Sequence, residues 1–167
     1  AQRAARRHAR ARLPDDARGR LSPHCFPRLR WAVAAFLAVY VPAYALAYGF
    51  ANFLFLCNLS VLLAGAGLWT CSRLLVSSQA VAIGLVGTAW TVDLGSRLLT
   101  GRHLIGGTEY MWDPQWPLFT RLLSAYHVAL PLVLVIALRR MGYDARGYWL
   151  QSAIAVVAGS ALSNYVN

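Results

Sequence analysis

From Leu75 to Gly95 the chain reads LVSSQAVAIGLVGTAWTVDLG, and Asp93 is the single acidic or basic side chain in this stretch. An α-helix needs about 17–25 predominantly apolar residues to cross the hydrocarbon core of a bilayer. The stretch lacks the strict alternation of apolar and polar residues that is typical of a half-buried strand. It therefore predicts a helix of membrane-spanning length.

Four further segments have the same character. The five predicted spans cover about residues 31–49, 53–70, 75–95, 122–138 and 148–164 of the 167-residue chain. Apolar residues make up 58% of the chain and charged residues 13%, whereas a soluble domain is roughly a quarter charged. Too few residues remain to form a soluble shell, and helices satisfy their own backbone polar groups in lipid. We predict an all-α fold, a polytopic transmembrane helical bundle formed by residues 31–167.

The first 30 residues differ from the rest in charge. Residues 1–30 hold nine Arg and two Asp, which predicts an Arg-rich cytoplasmic tail. With the N-terminus inside, this tail and the later inner loops place 13 Arg in the cytoplasm, against Arg97, Arg102 and Arg121 outside. We expect the bacterial cytoplasmic (inner) membrane with a cytoplasmic N-terminus. The tail is interpreted as a topology signal that contacts anionic lipid, so no nucleic-acid partner is expected.

Both ends of the sequence resemble positions inside a longer chain. The chain begins with Ala1 rather than Met, and it stops at a helix end with Asn167. We expect the full protein to extend beyond these residues.

The cysteines predict no structural disulfide. Cys25, Cys57 and Cys71 are odd in number, and Cys25 and Cys71 fall on the predicted cytoplasmic side, where disulfides are rare.

Small residues recur at four-residue spacing in two spans, and we expect these to be helix-packing faces. They are Ala80, Gly84 and Thr88 in the third span and Ala155, Gly159 and Ser163 in the fifth. The long connection between the third and fourth spans, residues 96–121, predicts either a functional lid or an aromatic belt at the outer interface.

Five polar residues inside the spans fall at one depth. Consecutive spans alternate in direction and a helix rises about 1.5 Å per residue, so all five are expected within about 8 Å of the outer end of their span. They are Cys57, Asn58, Asp93, His127 and Asn164. A thiol becomes nucleophilic when a neighbouring imidazole takes its proton, and a carboxylate or amide orients the imidazole. We predict a catalytic site with Cys57 as nucleophile, His127 as base, and Asp93 or Asn58 as the orienting group.

Each of these residues also has a structural interpretation. A Cys or His in a helical bundle is compatible with packing and interhelical hydrogen bonding, and Asp93 can pair with Arg97 one turn later. No HxxxH or HExxH spacing places two ligands on one helix face, so no metal site is predicted. The sequence contains no phosphate loop or dinucleotide fingerprint, and it identifies no cofactor.

Several of these motifs resemble a largely uncharacterised family of bacterial polytopic integral membrane proteins. The resemblance is carried by Asn52-Phe-Leu-Phe-Leu-Cys57-Asn58, by Trp90 with Asp93, and by Arg121-Leu-Leu-Ser-Ala-Tyr-His127 with Pro131. It covers most of residues 50–165. In that family another helix follows, which implies a sixth span beyond the end of this chain.

More remotely, Leu-Cys57-Asn58 and Tyr-His127-Val128 are similar to the YwaF-type membrane family and to eukaryotic transmembrane Cys/His acyltransferases that act on phospholipids. This resemblance implies that Cys57 accepts an acyl group and that His127 is its base. The chain departs from some relatives at Phe55 and Leu56, where those relatives have a His before the Cys.

Two classes of function follow from the sequence. The first is a lipid acyltransferase or hydrolase that uses the Cys57–His127 pair. The alternative is a non-catalytic accessory subunit of a larger photosynthetic or respiratory membrane complex, which packs helices, lipid, pigment or quinone. The expected partners are membrane lipids and, for the second class, other transmembrane subunits.

Overall fold

The computed structural model describes residues 25–166, so most of the predicted Arg-rich tail lies outside the described residues. The elements in chain order are α1 (Pro27–Tyr48), a 3-10 helix (Phe50–Leu54), α2 (Leu56–Trp69), α3 (Arg73–Thr100), a second 3-10 helix (Glu109–Met111), α4 (Leu118–Leu123), α5 (Tyr126–Met141) and α6 (Arg146–Val166). Residues 25–166 contain no strand, which confirms the predicted all-α fold.

Local sequence explains where the helices begin and end. Pro27 is at the start of α1. A backbone N–H at this position has no acceptor within the helix, so proline, which lacks the N–H, loses no hydrogen bond there. The Ser72 hydroxyl accepts a hydrogen bond from the Leu75 N–H and caps the start of α3. Gly101 ends α3 in the left-handed conformation that glycine adopts without steric cost.

The five predicted spans each coincide with a helical segment, but three segments of the described chain are long and apolar enough to cross a membrane by themselves. These are α1, α3 and Leu118–Met141, in which α4 and α5 follow each other. α2 has 14 residues and a length of about 21 Å, short of the roughly 30 Å hydrocarbon core. α6 has 21 residues, but polar residues such as Gln151 and Asn164 lower its mean hydropathy. The prediction of five full spans is therefore corrected to three for residues 25–166.

α3 lies at the centre of the bundle and packs against α2, α5 and α6. Two glycines permit close helix approach. A Cβ at Gly87 would lie 3.2 Å from the His127 carbonyl oxygen, and one at Gly147 would lie 2.8 Å from the Ser77 Cβ. The expected contacts at Gly84 and Gly159 are wrong, because a Cβ at either position meets no atom within 4 Å in the described structure.

Cys25 and Cys71 form a disulfide with a Cα–Cα distance of 6.0 Å. Cys25 precedes α1, and Cys71 lies in the turn between α2 and α3 with a left-handed φ of 54°. The prediction of no structural disulfide is wrong. It rested on the odd number of cysteines and on the predicted compartment, whereas the antiparallel α1–α2 pair brings the start of α1 and this turn to the same end of the bundle. We call this the disulfide end, and the opposite end, formed by residues 49–55 and 101–117, the loop end.

Candidate functional site

A cavity of about 320 Å³ lies at the loop end of the bundle. Helices α1, α2, α3 and α5 and the loop 101–117 contribute its walls. The lining residues are Tyr44, Tyr48, Asn52, Phe55, Cys57, Asn58, Trp90, Tyr110, Trp116 and His127. The cavity therefore brings together three of the four predicted site residues, namely Cys57, Asn58 and His127, while their catalytic roles stay a prediction.

Local structure accounts for the positions of Cys57 and His127. Cys57 lies in the first turn of α2, directly after the 3-10 helix Phe50–Leu54. His127 lies in the first turn of α5, after the break between α4 and α5 at residues 124–125. Since α2 and α5 both start at the loop end, both side chains reach the same cavity.

The His127 ring is held by a hydrogen bond and two stacking contacts. Its Nδ1 lies 2.8 Å from the Ser124 carbonyl oxygen, and its ring stacks on Trp90 and Tyr126 with centroid distances of 4.6 and 4.1 Å. A carbonyl oxygen only accepts hydrogen bonds, so Nδ1 donates, and Nε2 keeps a lone pair in the neutral ring. Nε2 is therefore the nitrogen that a ligand in the cavity can use.

Asn58 connects three helical elements through its side-chain amide. Its Oδ1 accepts hydrogen bonds from the hydroxyls of Tyr40 and Tyr126 at 2.8 and 2.7 Å, and its Nδ2 donates to the Asn52 carbonyl at 2.8 Å. The hydrogen bonds of the Asn58 amide therefore go to these partners and not to His127. The structure connects Asn58 to His127 through the Tyr126 ring, which stacks on the imidazole, and this corrects the predicted direct contact.

The Asp93 carboxylate is fully buried and holds the loop 101–117 against α3. Its Oδ1 accepts the backbone N–H groups of Leu104, Ile105 and Gly106 at 2.6–3.1 Å. Its Oδ2 accepts the Thr108 N–H at 3.0 Å and the Thr108 hydroxyl at 2.5 Å, and lies 3.2 Å from His103 Nδ1. Gly106 has a φ of +90°, which bends the loop around the carboxylate.

These bonds correct two sequence interpretations of Asp93. Its oxygens are taken up by the loop rather than by His127, so it does not orient the imidazole directly. Arg97 instead donates to the Gly101 carbonyl and lies over the Trp112 ring at 5.4 Å. Asp93 contributes to the site by fixing the loop that covers it.

The anchored loop brings Tyr110 and Trp116 to the cavity. The Tyr110 hydroxyl accepts a hydrogen bond from Trp90 Nε1 at 3.1 Å, and it also interacts with the Ser124 hydroxyl. Burial raises the pKa of Tyr110 above its ordinary value, which keeps this hydroxyl protonated at neutral pH. Trp116 packs on Tyr48 at a centroid distance of 4.6 Å.

Sequence reasoning missed the tyrosines of α1. Tyr40, Tyr44 and Tyr48 follow one another at four-residue spacing, so they share a helix face. Their hydroxyls bond in turn to Asn58, Ser124 and Thr120 on the neighbouring elements. The spacing was a signal in the sequence, but the polar partners became visible only in the bundle.

The loop end also contains His103 and Glu109, whose side chains are of types that bind metal ions. Within residues 25–166 no three His, Cys, Asp or Glu side chains cluster in a way that fits a metal ion. Comparison of the chain with protein-family models, with curated proteins and with solved structures gives no match.

Proposed function

We propose that the protein is an integral protein of the bacterial inner membrane, with α1, α3 and the segment Leu118–Met141 crossing the bilayer. The three segments of spanning length and apolarity support the membrane placement. The surplus of Arg at the disulfide end supports a cytoplasmic N-terminus.

We further propose that the cavity at the loop end is the site of a lipid acyltransferase or hydrolase. The observation that carries this proposal is that Cys57 and His127 line one cavity while Nε2 of His127 keeps its lone pair. The resemblance of the sequence around these residues to Cys/His acyltransferases agrees with the same chemistry.

In the proposed first step, His127 Nε2 takes the proton of the Cys57 thiol, and the sulfur attacks the carbonyl carbon of a phospholipid ester. A C–S bond forms and the ester C–O bond breaks, and the leaving alcohol receives the proton from His127. In the second step, an acceptor alcohol or water gives its proton to Nε2 and attacks the thioester, which restores the thiol. We assign the Tyr110 hydroxyl as the donor to the oxyanion.

The experiment is lipid turnover by the purified full chain in vesicles that contain a phospholipid with a labelled acyl chain. We expect Cys57→Ala to abolish turnover and His127→Gln to lower it about 10²–10⁴-fold. We also expect a thioester on Cys57 that hydroxylamine cleaves. Leu85→Ala, at an exposed position on α3, is the control that retains full turnover. Undiminished turnover in Cys57→Ala would contradict the enzyme.

The accessory-subunit alternative has one observation in its favour. The cavity walls are largely aromatic, and the lone pair on Nε2 of His127 can ligate a pigment metal or accept a hydrogen bond from a quinol hydroxyl. Under this alternative the protein co-purifies with an absorbing ring compound, and His127→Gln releases it while Cys57→Ala retains it. The two functions therefore predict different effects of Cys57→Ala. It abolishes lipid turnover by the enzyme, but it leaves the ring compound bound to the accessory subunit.

A further inference from the structure

A second, apolar cavity lies between α1 and α5 and extends toward the disulfide end. It has a volume of about 400 Å³, with α1 on one side, α4 and α5 on the other, and α2 as its floor. Val33 and Phe36 line one wall, and Ala129 and Val133 line the other. Gly65 lies in the floor.

This groove continues into a basic opening at the disulfide end. A neighbouring cavity of about 610 Å³ shares Leu29 and Val133 with the groove and is lined further out by Arg28 and Arg140. Both arginines are exposed, one on each wall. The Arg140 guanidinium lies over the Phe26 ring at 5.8 Å, which directs it across the opening.

The charge of this opening is not neutralised by the nearby acid. Among residues 25–166, the acid at the disulfide end is Asp144, and its carboxylate oxygens bond Arg146 at 2.8–3.1 Å. Arg28 and Arg140 therefore present positive charge at the end of an apolar groove. Both walls of that groove belong to segments of spanning length.

We infer that this groove binds one anionic phospholipid, with an acyl chain between α1 and α5 and the phosphate on Arg28 and Arg140. Guanidinium groups bind phosphate oxygens in a bidentate manner, and basic openings between transmembrane helices suit anionic headgroups. The apolar lining matches a hydrocarbon chain and offers no polar partner to a peptide backbone. The inference rests on the membrane placement and is independent of the Cys57 chemistry, because the two cavities share no lining residue.

The experiment measures retention of phosphatidylglycerol and of phosphatidylcholine with the same acyl chains, on the full chain in detergent, by native mass spectrometry. We expect selective retention of phosphatidylglycerol. Arg28→Gln with Arg140→Gln lowers that retention about tenfold or more, because each arginine near a headgroup contributes roughly 1 kcal/mol. Arg102→Gln at the loop end is the matched charge control and leaves retention unchanged.

A second variant tests the groove separately from the charge. Ala129→Trp fills the groove at an exposed position while both arginines remain, and we expect it to lose phosphatidylglycerol as well. Retention of the Cys25–Cys71 disulfide and of helical circular dichroism shows that each variant is folded. Equal retention of the two lipids, an unaffected double Gln variant, or a dimer that covers the groove in place of lipid would overturn the inference.

Discussion

At the scale of the residue, Asp93 shows how one carboxylate determines the path of a whole loop. Each of its two oxygens accepts at least one backbone N–H, from residues 104–106 on one side and from Thr108 on the other. An amide has only one accepting atom and would direct its NH₂ group at a donor. The position therefore requires Asp, although Asn has almost the same shape.

We predict that Asp93→Asn releases the loop 101–117 from α3. Trypsin cleavage after Arg102 is then expected to be about tenfold faster than in the wild type, because local opening exposes that bond. Asp113→Asn is the control, since Asp113 accepts a single loop hydrogen bond from the Gln115 N–H. Equal cleavage rates in the wild type and Asp93→Asn would show that the carboxylate does not hold the loop.

Asp144 is the second buried carboxylate and predicts a pH dependence. Its hydrogen bonds to Arg146 lower its pKa to about 2, from roughly 3.9 in an unfolded chain. A lowered pKa in the folded state stabilises the protein above pH ~4, and this stabilisation is lost as the pH falls through about 2.

The measurement is thermal unfolding of the wild type and of Asp144→Asn in detergent at pH 7, 4 and 2. We expect the wild type to have the higher Tm at pH 7, a smaller difference at pH 4, and nearly equal values at pH 2. A Tm difference that persists undiminished at pH 2 would contradict the role of the charge.

At the scale of the element, the contact between α3 and α6 depends on Gly147. A Cβ at this position would lie 2.8 Å from both the Ser77 Cβ and the Ser78 backbone nitrogen, so the helices would have to separate. Asp144, three residues earlier, donates its N–H to the Ser77 hydroxyl at 2.9 Å and fixes the same junction.

We predict that Gly147→Ala lowers the free energy of unfolding by about 1–3 kcal/mol, as overpacking of a close contact does. Gly159→Ala in the same helix is the matched control, because its Cβ meets open space. The control is expected to be neutral or to stabilise by roughly 0.5–1 kcal/mol, since Ala has the higher helix propensity. Chemical unfolding in mixed micelles measures both, and equal effects of the two changes would exclude the close contact.

At the scale of the whole molecule, the Cys25–Cys71 disulfide joins the start of α1 to the α2–α3 turn across 46 residues. Closing a loop of this length removes conformational entropy from the unfolded chain that corresponds to about 4 kcal/mol. We predict that Cys71→Ser, or reduction of the wild type, lowers stability by up to that amount. If loss of the disulfide causes the lower stability, then adding a reductant to Cys71→Ser does not lower its stability further. This variant is the control for reduction of the wild type.

The disulfide and the arginines give opposite indications of the compartment at this end. Disulfides are rare in the cytosol, whereas Arg-rich ends face it. Alkylation of intact cells with N-ethylmaleimide before lysis decides between them. The proposed cytoplasmic N-terminus predicts that Cys25 and Cys71 are recovered from cells as alkylated thiols and form the disulfide only in an oxidising medium. Recovery of the disulfide from alkylated cells would place this end outside.

Much of the architecture follows from the sequence because apolar periodicity and length act locally. The predicted segment 75–95 lies within α3, and the other four predicted segments also coincide with helices. The common position of Cys57 and His127 was predictable as well, because alternating spans return polar residues to the same end. The number of full spans was overestimated, since the turn at Phe55 and the polar residues of α6 shorten or dilute the apolar runs.

Only the tertiary structure decided which polar groups meet. Hydrogen-bond partners depend on the rotation of each helix about its axis and on the path of each loop. The position of a residue along its span specifies neither of these. In the structure Asp93 accepts hydrogen bonds from the loop 101–117, Asn58 accepts them from Tyr40 and Tyr126, and Cys25 forms a disulfide with Cys71. The sequence by itself determined an all-helical, membrane-like chain and one polar layer, because burial of apolar surface is a local property. The bundle decided which of those polar residues line a cavity and which hold it in shape.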